Sequence, residues 1–275
     1  MLQNKNAVIY GGGGSLGGAV AKALAAAGAN LFLTGRTLGS LQKCADEIIT
    51  AGGKATIQQV DALDEKAIRL HLDKVVQEAG TVDISFNATG TSVVQNIPLT
   101  DISADDFMNP ASFMLRTQFL TATAAAKIMM KQGSGVILSL TATPGGIGYP
   151  YTGGFAPACS AIECFTSNLA AELGVYGVRA VNMRSAGSPD SKVFKYAIDN
   201  YPEVMEGVLR KMEGDTMLKK LPLMEDIANV AVFLSSAMAG KITGVTVDIT
   251  SGTTAGLNYR VAPTSDGRSA QTLAS

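Results

Sequence analysis

The sequence is poor in the residues from which most catalytic and metal centres are built. It holds one histidine, His71, and three cysteines, Cys44, Cys159 and Cys164, an odd number with no CxxC pair. This argues against a disulfide framework, a metal site and any reaction that needs a cleft histidine. His71 stands in a helical run between Leu70 and Leu72, where a solvated or partly packed residue is expected. Cys44 and Cys164 read as helix packing, and Cys159 lacks an evident base or cation that would make it a nucleophile. Charge of neither sign is in excess: the net charge is −1, and lysine and arginine are scattered rather than striped, so nucleic-acid binding has no support. Apolar runs such as Ala231 to Leu234 are far too short to cross a bilayer, and the first residues lack the basic start and long apolar centre of a signal peptide. A soluble, cytoplasmic chain with no membrane partner is expected. No Pro/Ser-rich linker divides it, so residues 1–255 read as one domain, followed by a small polar tail over 256–275 that forms a disordered end or an arm across a subunit interface.

Glycine, in contrast, is abundant and clustered. The apolar run Ala7-Val8-Ile9-Tyr10 reads as a buried strand; Gly11-Gly12-Gly13-Gly14-Ser15-Leu16-Gly17-Gly18 follows as a turn, and Ala19 to Ala27 as a helix. A glycine turn that opens onto a helix N-terminus presents free peptide N–H groups and the positive end of the helix dipole, which together bind a pyrophosphate without any charged side chain. A nucleotide pocket is the first hypothesis.

The rest of the chain repeats the alternation. Asn30 to Thr34 gives a second strand, followed by Gly35-Arg36-Thr37 and a helix from Leu38 to Ala51. At this strand end a carboxylate would take the ribose hydroxyls of NAD; the residues here are Gly35 and Arg36, and an arginine clamps a 2′-phosphate. The cofactor expected is NADP(H), with NAD(H) as the alternative. A third strand, Lys54 to Val60, ends in Asp61-Ala62-Leu63, and a fourth, Val82 to Phe86, ends in Asn87-Ala88-Thr89-Gly90. Strands alternating with helices predict an α/β fold: a Rossmann-type, doubly wound parallel sheet of about seven strands between two helical layers. The strand ends then place Asp61 and Asn87 beside the same crevice as the glycine turn.

These motifs together resemble the short-chain dehydrogenase/reductase superfamily over roughly residues 4 to 254. The TGxxxGxG pattern stands as YGGGGSLG, the NNAG pattern as NATG, and the late segments as VNMRSAGSPDS, EDIANVAVFLSS, ITG and VDITSG. The resemblance implies that Gly11, Gly14, Ser15, Leu16 and Gly17 border the pyrophosphate. By the same token Arg36 and Thr37 meet the 2′-phosphate, Asp61 and Ala62 the adenine, and Asn87 and Ala88 the adjoining ribose. It also implies a homo-oligomer, dimer or tetramer, joined through the long fourth and fifth helices.

Two departures lie in the turn, where Tyr10 replaces a bracing threonine and Ser15 the middle glycine. The larger departures lie where the family's chemistry resides. By resemblance, the proton-donating tyrosine position holds Phe155, the lysine position Cys159, the serine position, thirteen residues before Phe155, Ala142, and the asparagine position Met114. Phenylalanine has no proton to give and cysteine carries no permanent cation. Pro189, at a position whose backbone bonds the nicotinamide carboxamide in the family, has no N–H. Tyr151, in a Gly/Pro-rich loop with Tyr149, is the substitute proton donor expected. A lid over residues 190–223 carries Phe194, Tyr196, Tyr201, Met205, Met212 and Met217, which suits an apolar small molecule. Three functions follow: an oxidoreductase with a non-standard active site acting on an apolar carbonyl or enoyl compound, a pseudoenzyme that binds a nucleotide or small molecule, or a non-redox cyclase, isomerase or dehydratase.

Overall fold

The computed structural model describes residues 1–256; the tail expected over 256–275 lies, after Gly256, outside the described residues. Seven strands, β1 (Asn6–Tyr10), β2 (Asn30–Gly35), β3 (Lys54–Gln59), β4 (Ile84–Asn87), β5 (Gly135–Ala142), β6 (Val178–Ser185) and β7 (Thr246–Ile249), alternate with helices. The helices are α1 (Ser15–Ala26), α2 (Leu38–Thr50), α3 (Glu65–Ala79), α4 (Ala104–Gln132), α5 (Phe155–Leu173), α6 (Lys192–Asn200), α7 (Pro202–Asp215) and α8 (Met224–Ser235). The strands form one parallel sheet in the order β3-β2-β1-β4-β5-β6-β7, the doubly wound arrangement expected. The order reverses between β1 and β4, so a crevice opens at their C-terminal ends.

Period-two alternation sends Ala7 and Ile9 of β1 to one face of the sheet and Val8 and Tyr10 to the other. On the first face they meet Val20, Ala21 and Leu24 of α1, Leu41 and Ile48 of α2, and Ala231 and Leu234 of α8. On the second they meet Ile68, Leu72 and Val75 of α3, Ala122, Ala125 and Met129 of α4, and Leu169 and Leu173 of α5. Both faces are covered, which is why the strands are nearly continuous apolar runs rather than alternating ones.

Three expectations need correction. Helix α1 starts at Ser15 rather than Ala19, taking Gly17 and Gly18 into its first turns. Glycine is a poor helix former, and here close packing against the preceding turn outweighs propensity. The α6–α7 pair is also less of an apolar cover than its composition suggests: neither helix has a buried residue, and Tyr196, Tyr201 and Met217 are exposed. Phe194 and Met212 fold back onto Gly187, where a Cβ would stand 2.6 Å from the phenyl ring.

His71 is neither solvated nor partly packed but buried, at 3% exposure, on the inner face of α3. Its Nδ1 lies 3.0 Å from Gln58 Oε1, and burial pulls its pKa down to about 4. In the unfolded chain the value is about 6.5, so between pH 6.5 and 4 only the unfolded state takes up this proton. The native state's advantage is therefore complete above pH 6.5 and shrinks as the pH falls. Urea unfolding should show stability dropping through this window with a slope approaching 1.4 kcal/mol per pH unit, about one proton's worth. The slope should flatten in His71→Leu; an unchanged slope would move the effect to the carboxylates.

Candidate functional site

The turn after β1 is built by its neighbours as much as by its glycines. The Thr34 carbonyl at the end of β2 accepts from the Gly11 N–H at 2.9 Å and the Gly12 N–H at 3.0 Å, and the Gly11 carbonyl accepts from Gly14 at 2.9 Å. Gly11 has φ +78°, and a Cβ on it would stand 2.9 Å from the Ala88 carbonyl carbon. A Cβ on Gly17 would stand 2.3 Å from the Gly11 oxygen, a backbone atom that cannot rotate away. The helix and the turn therefore approach at hydrogen-only distance. Gly14 caps α1 with no side-chain hydrogen bond, which leaves the leading amides of the helix without a side-chain partner at the cap.

A cleft of about 270 Å³ opens beside this turn. Of the residues expected at a cofactor, Gly11, Gly14, Arg36, Thr37, Asp61, Ala62 and Ala88 line it. Ser15, Leu16, Gly17 and Asn87 do not. Gly17 is spent on the helix approach, and the Ser15 Oγ accepts from the Lys192 N–H at 3.1 Å. Asn87 is buried and braces its own turn: Nδ2 donates to Thr121 Oγ1 at 3.2 Å, and Oδ1 accepts from the Thr89 N–H at 2.9 Å and hydroxyl at 2.6 Å. Asp61 Oδ1 likewise accepts from the Leu63 N–H at 2.9 Å, setting the loop that carries Ala62. Phe113 of α4 supplies the cleft's aromatic wall and Ser40 of α2 a hydroxyl, both of which the sequence reading passed over. Nothing in the helical pattern separates Phe113 from a core residue.

Beyond the turn the character changes. Cys159 is fully buried, and burial pushes its thiol up to about 11, against a partly offsetting backbone hydrogen bond from Ala142. A cavity of about 170 Å³ lies between the loop after β5 and helix α7, lined by Thr143, Ile147, Tyr149, Pro150, Ala186, Met212, Leu221 and Thr253, with Lys211 and Asp215 also in the wall. Tyr149 also borders an outer cleft of about 610 Å³, and Tyr151 borders only that outer one. Tyr151 has a left-handed backbone, φ 61°, its carbonyl accepts from the Asn96 N–H at 2.8 Å, and its side chain is exposed.

The loop after β5 rests on charges the sequence reading did not single out. Arg184 of β6 donates from Nε to Glu163 Oε1 of α5 at 2.9 Å, pairs with Oε2 through a second nitrogen, and reaches Asp248 of β7 at 3.1 Å. Thr141 also donates to Glu163 at 2.8 Å, and Asn182 to Thr141 at 2.7 Å. A Cβ on Gly146 would stand 2.4 Å from an Arg184 nitrogen, so the loop lies directly over the guanidinium. Two carboxylates hold this cation in place, and it braces the ends of β5, β6 and β7 against α5.

Fold and site together define a doubly wound α/β protein with a cleft at the switch point between β1 and β4. A family model described as enoyl-(acyl carrier protein) reductase matches residues 12–254. The chain belongs to the short-chain dehydrogenase/reductase superfamily. It is 29% identical over 246 residues to the 3α-hydroxysteroid dehydrogenase of Mediterraneibacter gnavus, covering 89% of this chain and 94% of the relative. It is 28% identical over 259 residues to the 2,3-dihydro-2,3-dihydroxybenzoate dehydrogenase of Bacillus subtilis, covering 93% and 98%. The solved structure of levodione reductase superposes with a TM-score of 0.86 at 26% identity, over 94% of this chain and all of that one.

The burial of the thiols sets a simple expectation. Cys44 and Cys159 are buried and Cys164 exposed. A disulfide-exchange reagent should modify no more than one thiol in the native protein, at Cys164, and all three after unfolding. Native labelling of Cys159, read by mass spectrometry of peptides, would contradict its placement.

Proposed function

We propose that this protein is an NADP(H)-dependent oxidoreductase with a non-standard reaction centre, acting on an apolar carbonyl or enoyl small molecule. The observation that carries the cofactor reading is the joint lining of one cleft by Gly11, Gly14, Arg36, Thr37 and Asp61. The turn would hold the phosphates on backbone N–H groups, and Arg36, exposed after Gly35 with no carboxylate at the strand end, would hold a 2′-phosphate. Phe113 offers the adenine a flat apolar face.

The cofactor, when bound, supplies a hydride; the chain must supply the proton and the orientation. By resemblance the usual donor and its supports are replaced at Phe155, Cys159, Ala142 and Met114, and the burial of Cys159 leaves no lysine-like group to face a ribose. In this reading a phenol of the loop after β5, Tyr151 or Tyr149, gives the proton, and Tyr149 is the one that borders the inner cavity. The walls of that cavity, Ile147, Pro150, Met212 and Leu221, favour an apolar substrate. The same burial of Cys159 favours a second reading, a pseudoenzyme that keeps the cleft as a nucleotide-binding module.

A homo-oligomer, dimer or tetramer, fits the face of α4 and α5, where exposed Phe119 packs edge-on against Phe165 at 6.0 Å beside an apolar groove. Among the described residues no helix is long and apolar enough to cross a membrane.

Titration with NADPH and NADH, followed by nicotinamide fluorescence, should give saturable binding that favours NADPH. Arg36→Ala should weaken NADPH by about tenfold or more, the worth of a charge-assisted bond, and leave NADH nearly unchanged. No saturable signal with either cofactor would remove the oxidoreductase reading.

Turnover separates the two readings. Ordinary ketones should be reduced slowly, and Phe155→Tyr with Cys159→Lys should raise carbonyl reduction in a folded double variant, by up to about two to four orders of magnitude if general acid catalysis is restored. Measurable reduction of an apolar carbonyl or enoyl compound by the native chain, lost in Tyr149→Phe or Tyr151→Phe, supports the enzyme; NADPH binding with no turnover supports the pseudoenzyme.

A further inference from the structure

The helical pair α6–α7 rests on the body through Phe194 and Met212, which pack on Gly187, and through hydrogen bonds where the chain enters it. Neither helix buries a residue, and just before α6 the Asp190 carboxylate accepts from the Met224 N–H at the start of α8 at 3.1 and 3.2 Å. Two residues on, the first amide of α6, that of Lys192, donates to Ser15 Oγ at 3.1 Å, across 177 residues of sequence. The Lys192 N–H belongs to the first turn of its helix and has no partner there, while the Ser191 hydroxyl caps the Phe194 N–H at 3.4 Å. Ser15 opens α1 directly beside Gly14, which lines the cleft. A hydroxyl that accepts one bond still has a proton to give, and among the described residues no protein acceptor takes it.

We propose that Ser15 is a positioning residue that couples the α6–α7 lid to anion binding at the glycine turn. Its oxygen holds the lid through the Lys192 N–H, and its proton is free for a phosphate oxygen of the ligand. Donation to an anion makes the serine oxygen a better acceptor, so the bond to the lid tightens when the anion binds. By reciprocity a lid held down raises the affinity for the anion. A glycine at this place would support the turn equally well but would make neither bond. The anion half of the proposal rests on the nucleotide reading above; the lid half does not.

The test is hydrogen exchange of amides 193–200 in the full-length protein, read by mass spectrometry, with melting temperature as the check on folding. Ser15→Ala removes the acceptor. Lys192→Pro removes the donor at a helix position that tolerates proline, after a Ser191 already extended at ψ 155°; Lys192→Ala removes the charge and keeps the donor. Without ligand, exchange should rise roughly 3- to 10-fold in Ser15→Ala and in Lys192→Pro, the worth of one neutral hydrogen bond, and stay near the native rate in Lys192→Ala. The double variant Ser15→Ala/Lys192→Pro should exchange no faster than either single one. NADPH should slow exchange in the native chain and have no such effect in Ser15→Ala at concentrations that fill the cleft. Unchanged exchange in Ser15→Ala, equal effects of Lys192→Pro and Lys192→Ala, or equal slowing by NADPH with and without Ser15 would each overturn the coupling. If NADPH does not bind at all, the nucleotide reading fails by itself. Inorganic pyrophosphate then serves as the probe, and a lid that ignores it overturns the anion half while the ligand-free comparison still decides the lid half.

Discussion

The gap between Gly17 and the Gly11 carbonyl is so narrow that it admits a hydrogen and nothing larger. Because α1 can enter at that distance, its leading amides stand beside the turn instead of a residue's width away, and the Thr34 carbonyl can hold the turn from the neighbouring strand. The consequences spread outward. Packing of α1 against α8 covers one face of the sheet, the ends of β1 and β4 are left open between the layers, and the cleft takes its walls from the loops after β2, β3 and β4. A single methyl group at Gly17 would press on backbone and disturb all of these at once.

At the other end of the crevice the structure is held by charge rather than by close approach. Arg184 between Glu163 and Asp248, with Thr141 and Asn182 attached, ties α5 to three strand ends and supports the loop that follows β5. Breaking such a part-buried set by removing one partner leaves an uncompensated charge, so the loop's position depends on all three ionised groups. Cys159 adds to it, with the Ala142 backbone N–H at the end of β5 bonded to its sulfur. Most of these bonds run through Glu163, one turn further along α5 than Cys159.

Much of the fold was legible because it depends on local rules. Apolar runs of strand length, glycines past their ends and amphipathic segments between them led to the parallel sheet, and the resemblance of YGGGGSLG and NATG pointed to the family. Local rules failed where a distant element set the terms. The start of α1 was misplaced because the contact that tolerates two glycines in a helix comes from the turn, not from the helix. His71 was misjudged because its neighbours Leu70 and Leu72 say nothing about which face of α3 meets Gln58 of β3. Phe113 and Arg184 left no local mark at all.

The sequence by itself determined the order of strands and helices, the glycine turn with Arg36 after the second strand, and the residue types at the positions that resemble the family's catalytic ones, because these are matters of identity, backbone conformation and period along the chain. Only the tertiary structure decided which of those residues share a cavity. It set Arg36, Asp61 and Phe113 around one cleft, spent Asn87 on its own turn, sealed Cys159 inside α5 and turned Tyr151 to the outer side of its loop. It also joined Ser15 to Lys192. Side chains far apart in the chain meet only through packing and long-range hydrogen bonds, and no local pattern carries that information.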